Sequence, residues 1–142
     1  MIWRRIEHGR VARICLEPGR GALRILLLAQ SLTVLPHELD HVVAQQHHGA
    51  TDESNLCLAC GLCNSYKGPN LSGIDPQTGR LTRLFHPRKD FWPHHFQWRG
   101  AVMEGRTDIG RATIDVLDID ASERVLTRQL AIEAGLFPLA AK

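Results

Sequence analysis

Leu35-Pro36-His37-Glu38-Leu39-Asp40-His41-Val42-Val43 and, further on, Asn55-Leu56-Cys57-Leu58-Ala59-Cys60-Gly61-Leu62-Cys63-Asn64-Ser65-Tyr66-Lys67-Gly68 are the stretches on which the fold turns. The first reads as a short strand. Between them Gln45 to Asn55 holds Gly49, Asp52 and Ser54, which suit a loop. Asn55 to Ala59 reads as a second strand that delivers the cysteines. Asn64 is placed to open a short helix, and Gly68-Pro69 interrupts it. The expected local order is strand, loop, strand, short helix.

Three of the four cysteines, Cys57, Cys60 and Cys63, fall within seven residues, and seven of the eight histidines lie between His37 and His95. A tight CxxC in a reducing compartment reads first as metal ligation or redox chemistry, with three small buried thiols as the plain alternative. A thioredoxin-like reading needs the CxxC after a strand of a βαβ unit, and no such pattern surrounds it. Histidines at this density point to a site, because imidazole titrates near neutrality and binds metals.

Asp40-His41, Asn55, Cys60-x-x-Cys63-Asn64-x-x-Lys67-Gly68, Gly73-Ile74-Asp75-Pro76-x-Thr78-Gly79, Leu84-Phe85-x-Pro87-Arg88 and Trp92-x-x-His95-Phe96-x-Trp98 follow one another in order. Together they resemble the HNH endonuclease family, in its zinc-bearing CxxC branch. The resemblance covers roughly residues 32–100, and many bacterial members carry the later blocks just after the core. It implies a small α+β protein: a ββα-metal core, an irregular N-terminal segment and a C-terminal helical extension. The corresponding division is 1–31, 32–99 and 100–142.

The resemblance also implies phosphodiester hydrolysis in DNA, with RNA the lesser candidate. That reaction needs an activated water and a cation to neutralise charge on the leaving oxygen. By resemblance His41 is the general base, and neutral imidazole suits that work. Asp40 and Asn64 are the expected ligands of magnesium or manganese, hard ions that prefer oxygen donors. Asn55 is expected to orient His41 through the loop backbone. Lys67, Arg88 and Lys89 are the candidate nucleic-acid contacts. The non-cleaving alternative is a degraded remnant that binds zinc or nucleic acid only.

One departure bears on zinc. A structural zinc takes four ligands, and Cys60 and Cys63 supply two. The family's other pair should precede Asp40, where this chain has only Cys15 and the apolar run Leu23–Ala29. One permitted set of codons for Ala22–Leu27, read one base later, encodes Arg-Cys-Glu-Tyr-Cys. Residues 15–29 are therefore expected to be read out of frame, the rival being a real apolar segment in place of the clamp.

The remaining residues set bounds. The chain has 142 residues, 44% hydrophobic and 23% charged, enough to bury one modest core. Its longest apolar stretch, Leu23 to Leu35, is interrupted by Arg24 and Gln30 and falls short of the roughly 20 residues of a membrane span. The N-terminus lacks signal-peptide features, so a cytoplasmic protein is expected. Residues 1–100 hold 12 basic and 8 acidic side chains, residues 101–142 hold 5 and 7. That balance permits a polyanionic partner without demanding one. Trp92, Phe96 and Trp98 read as core rather than as a base-stacking platform, and His47-His48 as exposed loop. The tail is expected to form two short packing helices, stopped at Gly135, with DNA contact by Arg111 or Arg124 a lesser reading.

Overall fold

A computed structural model describes residues 37–137. The expectations for Cys15 and residues 15–29 lie outside the described residues. The described part mixes helices with three small antiparallel hairpins, an α+β arrangement. No described helix is long and apolar enough to cross a membrane.

Strands β1 (His37–His41) and β2 (Leu56–Cys60) pair antiparallel, with Asp40 opposite Cys57 and His41 opposite Leu56. Because strand side chains alternate, Leu39, Leu56 and Leu58 pack together, while Glu38 and Asp40 take the other face. β1 stops at His41 because the next backbone groups bond to Asn55: Val42 N–H donates to the Asn55 carbonyl at 2.8 Å and Val43 N–H to its side chain, also at 2.8 Å. Asn55 thus precedes the second strand rather than opening it.

Helix α1 (Gly61–Lys67) follows β2 without a connector. It starts three residues before the expected Asn64, since Cys60 is its N-cap and the Cys60 sulfur accepts the Cys63 N–H at 3.2 Å. A thiol thus does the capping that Ser or Asp usually does. Gly68, at φ 48°, closes the helix.

Two further hairpins pair β3 (Ser72–Ile74) with β4 (Leu81–Arg83), and β5 (Phe96–Arg99) with β6 (Val102–Gly105). A one-turn helix α2 (Trp92–His95) runs directly into β5. The two tail helices are α3 (Asp108–Val116) and α4 (Ser122–Glu133), the latter stopping just before Gly135 at φ 71°. The turn between β3 and β4 is held by Asp75, which is fully buried. Its carboxylate accepts from Gln77 N–H and Thr78 O–H, and two nitrogens of Arg111 reach it at 2.8 Å each. This is what the Asp-Pro-x-Thr-Gly block does: it ties a turn to helix α3.

The main core gathers Phe85, Phe96, Met103, Leu117, Ile119 and Ala131, with Trp92 and Trp98 packed against it. Phe85 and Phe96 meet edge-on at 5.0 Å, a favoured aromatic geometry. Cys60 and Cys63 reach into the same core, so the start of α1 is anchored to the rest of the molecule. Arg128, only 1% exposed, crosses the core from α4. It donates to the Ala101 and Ile119 carbonyls, pairs with Asp120 at 2.7 Å and stacks over Trp98.

Candidate active site

The end of β1, the loop after it and the exposed side of α1 bring the expected residues together. His41 closes β1 and is 9% exposed. Its Nε2 lies 2.9 Å from the Thr51 hydroxyl, which also accepts from Gln45 Nε2 at 3.2 Å. Asn55 holds the loop that carries Thr51. Its Nδ2 donates to the carbonyls of Val43 and Ala50 at 2.9 and 2.8 Å, while its Oδ1 accepts from Val43 N–H. One buried amide thus joins both ends of the loop, and the residue after Ala50 grips the imidazole.

Asp40, the neighbour of His41, faces α1. Its carboxylate lies 3.2 Å from Lys67 Nζ, and the side chains are 13% and 15% exposed. Burial pushes the Asp40 carboxyl above its usual range, against the opposing pull of Lys67 and His41. Lys67 also donates to the backbone carbonyls of His41 at 3.0 Å and Gly68 at 3.3 Å. Asn64, one turn earlier on the same helix face, donates its Nδ2 to Glu38 at 2.7 Å, so Oδ1 is the atom it could offer a metal. Asp40, Asn64 and Lys67 all line a cavity of about 240 Å³ between the first hairpin and the β4 end, whose other walls include Leu58, Leu84 and Phe85.

The other expected contacts take structural positions. Arg88 Nε donates to the Leu56 carbonyl at 2.7 Å, clamping the start of β2, whereas Lys89 is exposed. Arg111 is held on Asp75. His47 and His48 are exposed on the loop, as their position suggested.

Arg124 of α4 faces the CxxC, with Nη2 at 2.9 Å from the Cys63 sulfur and 3.7 Å from that of Cys60. The hydrogen bond from Cys63 lowers the Cys60 thiol to about 6, while the same bond and burial push Cys63 up. The nearby Arg124 guanidinium by itself lowers both thiols. Among the described residues no group of three or more His, Cys, Asp or Glu side chains could hold a metal ion. Cys60 and Cys63 alone do not fit a four-ligand zinc, and Arg124 already supplies their positive partner. The oxygens around Asp40 do suit a hard ion: a carboxylate, an amide oxygen and the His41 carbonyl, with a cationic ammonium already seated among them.

Two residues escaped the sequence reading. Glu38 carried a signal, lying two residues before Asp40 on the same strand face, whereas Thr51 sits in a loop without periodicity. Arg124 was read only as a lesser DNA contact, because its partner Cys63 is 61 residues away.

No curated protein and no solved structure matches the chain. Residues 13–70 match the family model of the HNH endonuclease, and that stretch holds Asp40, His41, Asn55, Cys60, Cys63, Asn64 and Lys67.

Proposed function

We propose that this chain is an endonuclease that hydrolyses phosphodiester bonds in DNA with a divalent metal ion, His41 acting as general base. The strand–strand–helix unit is read as a ββα-metal core. The observation that carries the reading is the meeting of Asp40, Asn64, Lys67 and the His41 carbonyl at the junction of β1 and α1, with the His41 ring held beside it by the Thr51 hydroxyl.

His41 is read as the base that takes the proton of the attacking water, its ring held at Nε2 by the Thr51 hydroxyl. Asn55 keeps Thr51 in position through the Ala50 carbonyl. Asp40 and Asn64 Oδ1 would hold magnesium or manganese. The ion, when bound, stabilises charge on the phosphate and on the departing oxygen. Lys67 and exposed Lys89 supply positive charge for the phosphate backbone.

A second reading, a binding module that does not cut, is favoured by one observation: Lys67 already neutralises Asp40. A labelled DNA duplex separates the two. The wild-type chain with manganese should cleave it and EDTA should stop cleavage, while His41→Ala should bind as well as wild type and leave the duplex intact. Binding without cleavage by both proteins establishes the second reading. Cleavage of an RNA duplex in preference to DNA would overturn the substrate assignment.

A further inference from the structure

Lys67 is a built-in cation. Its ammonium has three donors, and three oxygens surround it: Asp40 Oδ2 at 3.2 Å, the His41 carbonyl at 3.0 Å and the Gly68 carbonyl at 3.3 Å. Two of the three are backbone atoms fixed by the end of β1 and the end of α1. The side chain is mostly covered, as is its carboxylate partner. A solvent-exposed lysine pair is loose and weak; this one is seated at the point where strand and helix meet.

We propose that Lys67 is an internal counter-ion that closes the Asp40 site to free divalent metal until the ammonium is drawn off the carboxylate, an inference that rests on the metal-dependent reading above. A single charge and a double charge brought to one part-buried carboxylate repel each other, and that repulsion is only weakly screened there, so the two compete for Asp40. Metal entry is therefore coupled to lysine exit. The four-carbon stem lets Nζ swing away from Asp40 while the helix stays in place. A substrate phosphate offers the displaced ammonium a new anionic partner, so metal and phosphodiester bind cooperatively, each favouring the state the other needs. The lysine thereby ties metal loading to the presence of nucleic acid.

Manganese binding to the full chain, read by electron paramagnetic resonance without DNA, tests this. Lys67→Met should bind manganese at least tenfold more tightly than wild type, and Lys67→Arg, which keeps the charge, should stay near wild type. Equal affinity in wild type and Lys67→Met would overturn the counter-ion role. If wild type still cleaves DNA with the metal in that case, the nuclease reading stands and only this inference falls. Absence of manganese binding in every variant overturns both.

Because Lys67→Met leaves the Asp40 carboxylate unpaired and can fail to fold, a wild-type measurement accompanies it. Acylation of Lys67 by an activated ester, followed by mass spectrometry, should accelerate severalfold once magnesium is raised far above the concentration that fills Lys67→Met, where the ion outcompetes the ammonium for Asp40. Unchanged or slower labelling contradicts the displacement.

Discussion

At the scale of single residues, the candidate site depends on side chains that hold other side chains. Asn55 is buried and uses both ends of its amide, joining Val43 to Ala50. Asn55→Ala leaves three backbone groups without these bonds, so it should destabilise the fold by about 2–3 kcal/mol in urea unfolding. Asn55→Asp should do at least as much harm, because a carboxylate oxygen would face the two carbonyls that now receive N–H bonds. Thr51 acts one step closer to the chemistry. Thr51→Val removes the hydroxyl that meets His41 Nε2, and the expected result is about a tenfold slower cleavage with duplex affinity unchanged. Thr51→Ser, which keeps the hydroxyl, should restore the rate. Loss of binding together with rate in Thr51→Val would show a structural role only.

At the scale of elements, much was legible where the governing interactions are local. The strand–loop–strand–helix order follows from the Gly49–Ser54 turn residues and from Gly68, all within the 37–68 stretch. The start of α1 was misplaced because the cap is a cysteine, a residue that carries no capping signal in sequence. The β3–β4 and β5–β6 hairpins were hidden in a run of turn residues, since strands of three or four residues give too little periodicity to stand out. Lys67 looked like a free phosphate contact because its partner Asp40 lies 26 residues upstream on another element and meets it only once α1 packs on β1.

Glycine at the loop between β1 and β2 gives a further test at this scale. A Cβ at Gly49 would collide with the Val43 carbonyl and come within 2.8 Å of Asn55 Nδ2. Gly49→Ala should therefore displace the loop that presents Thr51. Heteronuclear NMR should report shifts concentrated at residues 43–55 and at His41, with the distant α4 resonances unmoved. Shifts spread through the whole spectrum would mean that the loop is not an independent element.

At the scale of the molecule, three long-range ionic ties hold the hairpins and helices together, and none could be foreseen from neighbouring residues. Arg128 bonds to two carbonyls and to Asp120 deep in the core. Arg128→Met removes a buried charge, leaves the Ala101 and Ile119 carbonyls without its bonds and Asp120 with the Met103 N–H in place of an ion pair, and should cost about 3 kcal/mol in thermal or urea unfolding. Asp75 is held well below the usual carboxylate range, chiefly by its hydrogen bonds from Arg111, and Asp90 is lowered by Arg83. Depressed carboxylates contribute stability that is complete above the unfolded-state value of about 4 and lost as pH falls through the folded values. The melting temperature should hold from neutrality down to about pH 5 and then decline. Asp75→Asn should flatten that acid limb, and an unaltered limb would assign it to other groups.

The third tie, Arg124 on the CxxC pair, joins α4 to α1 and so links the stretch that matches the HNH model to the tail. It gives Cys60 and Cys63 a positive partner among the described residues, the guanidinium lying 2.9 Å from one sulfur and 3.7 Å from the other. The same arrangement keeps the first turn of α1, and with it Asn64 and Lys67, in register with Asp40.

The central claim is that the β1–α1 junction hydrolyses DNA through His41. Nicking of a supercoiled plasmid by the full chain tests it most directly, titrated with magnesium or manganese beside His41→Ala and an EDTA control. The account predicts relaxed plasmid that rises with the metal and is absent with EDTA or with His41→Ala. Equal nicking by wild type and His41→Ala, or none by folded wild-type protein at any metal concentration, would contradict it.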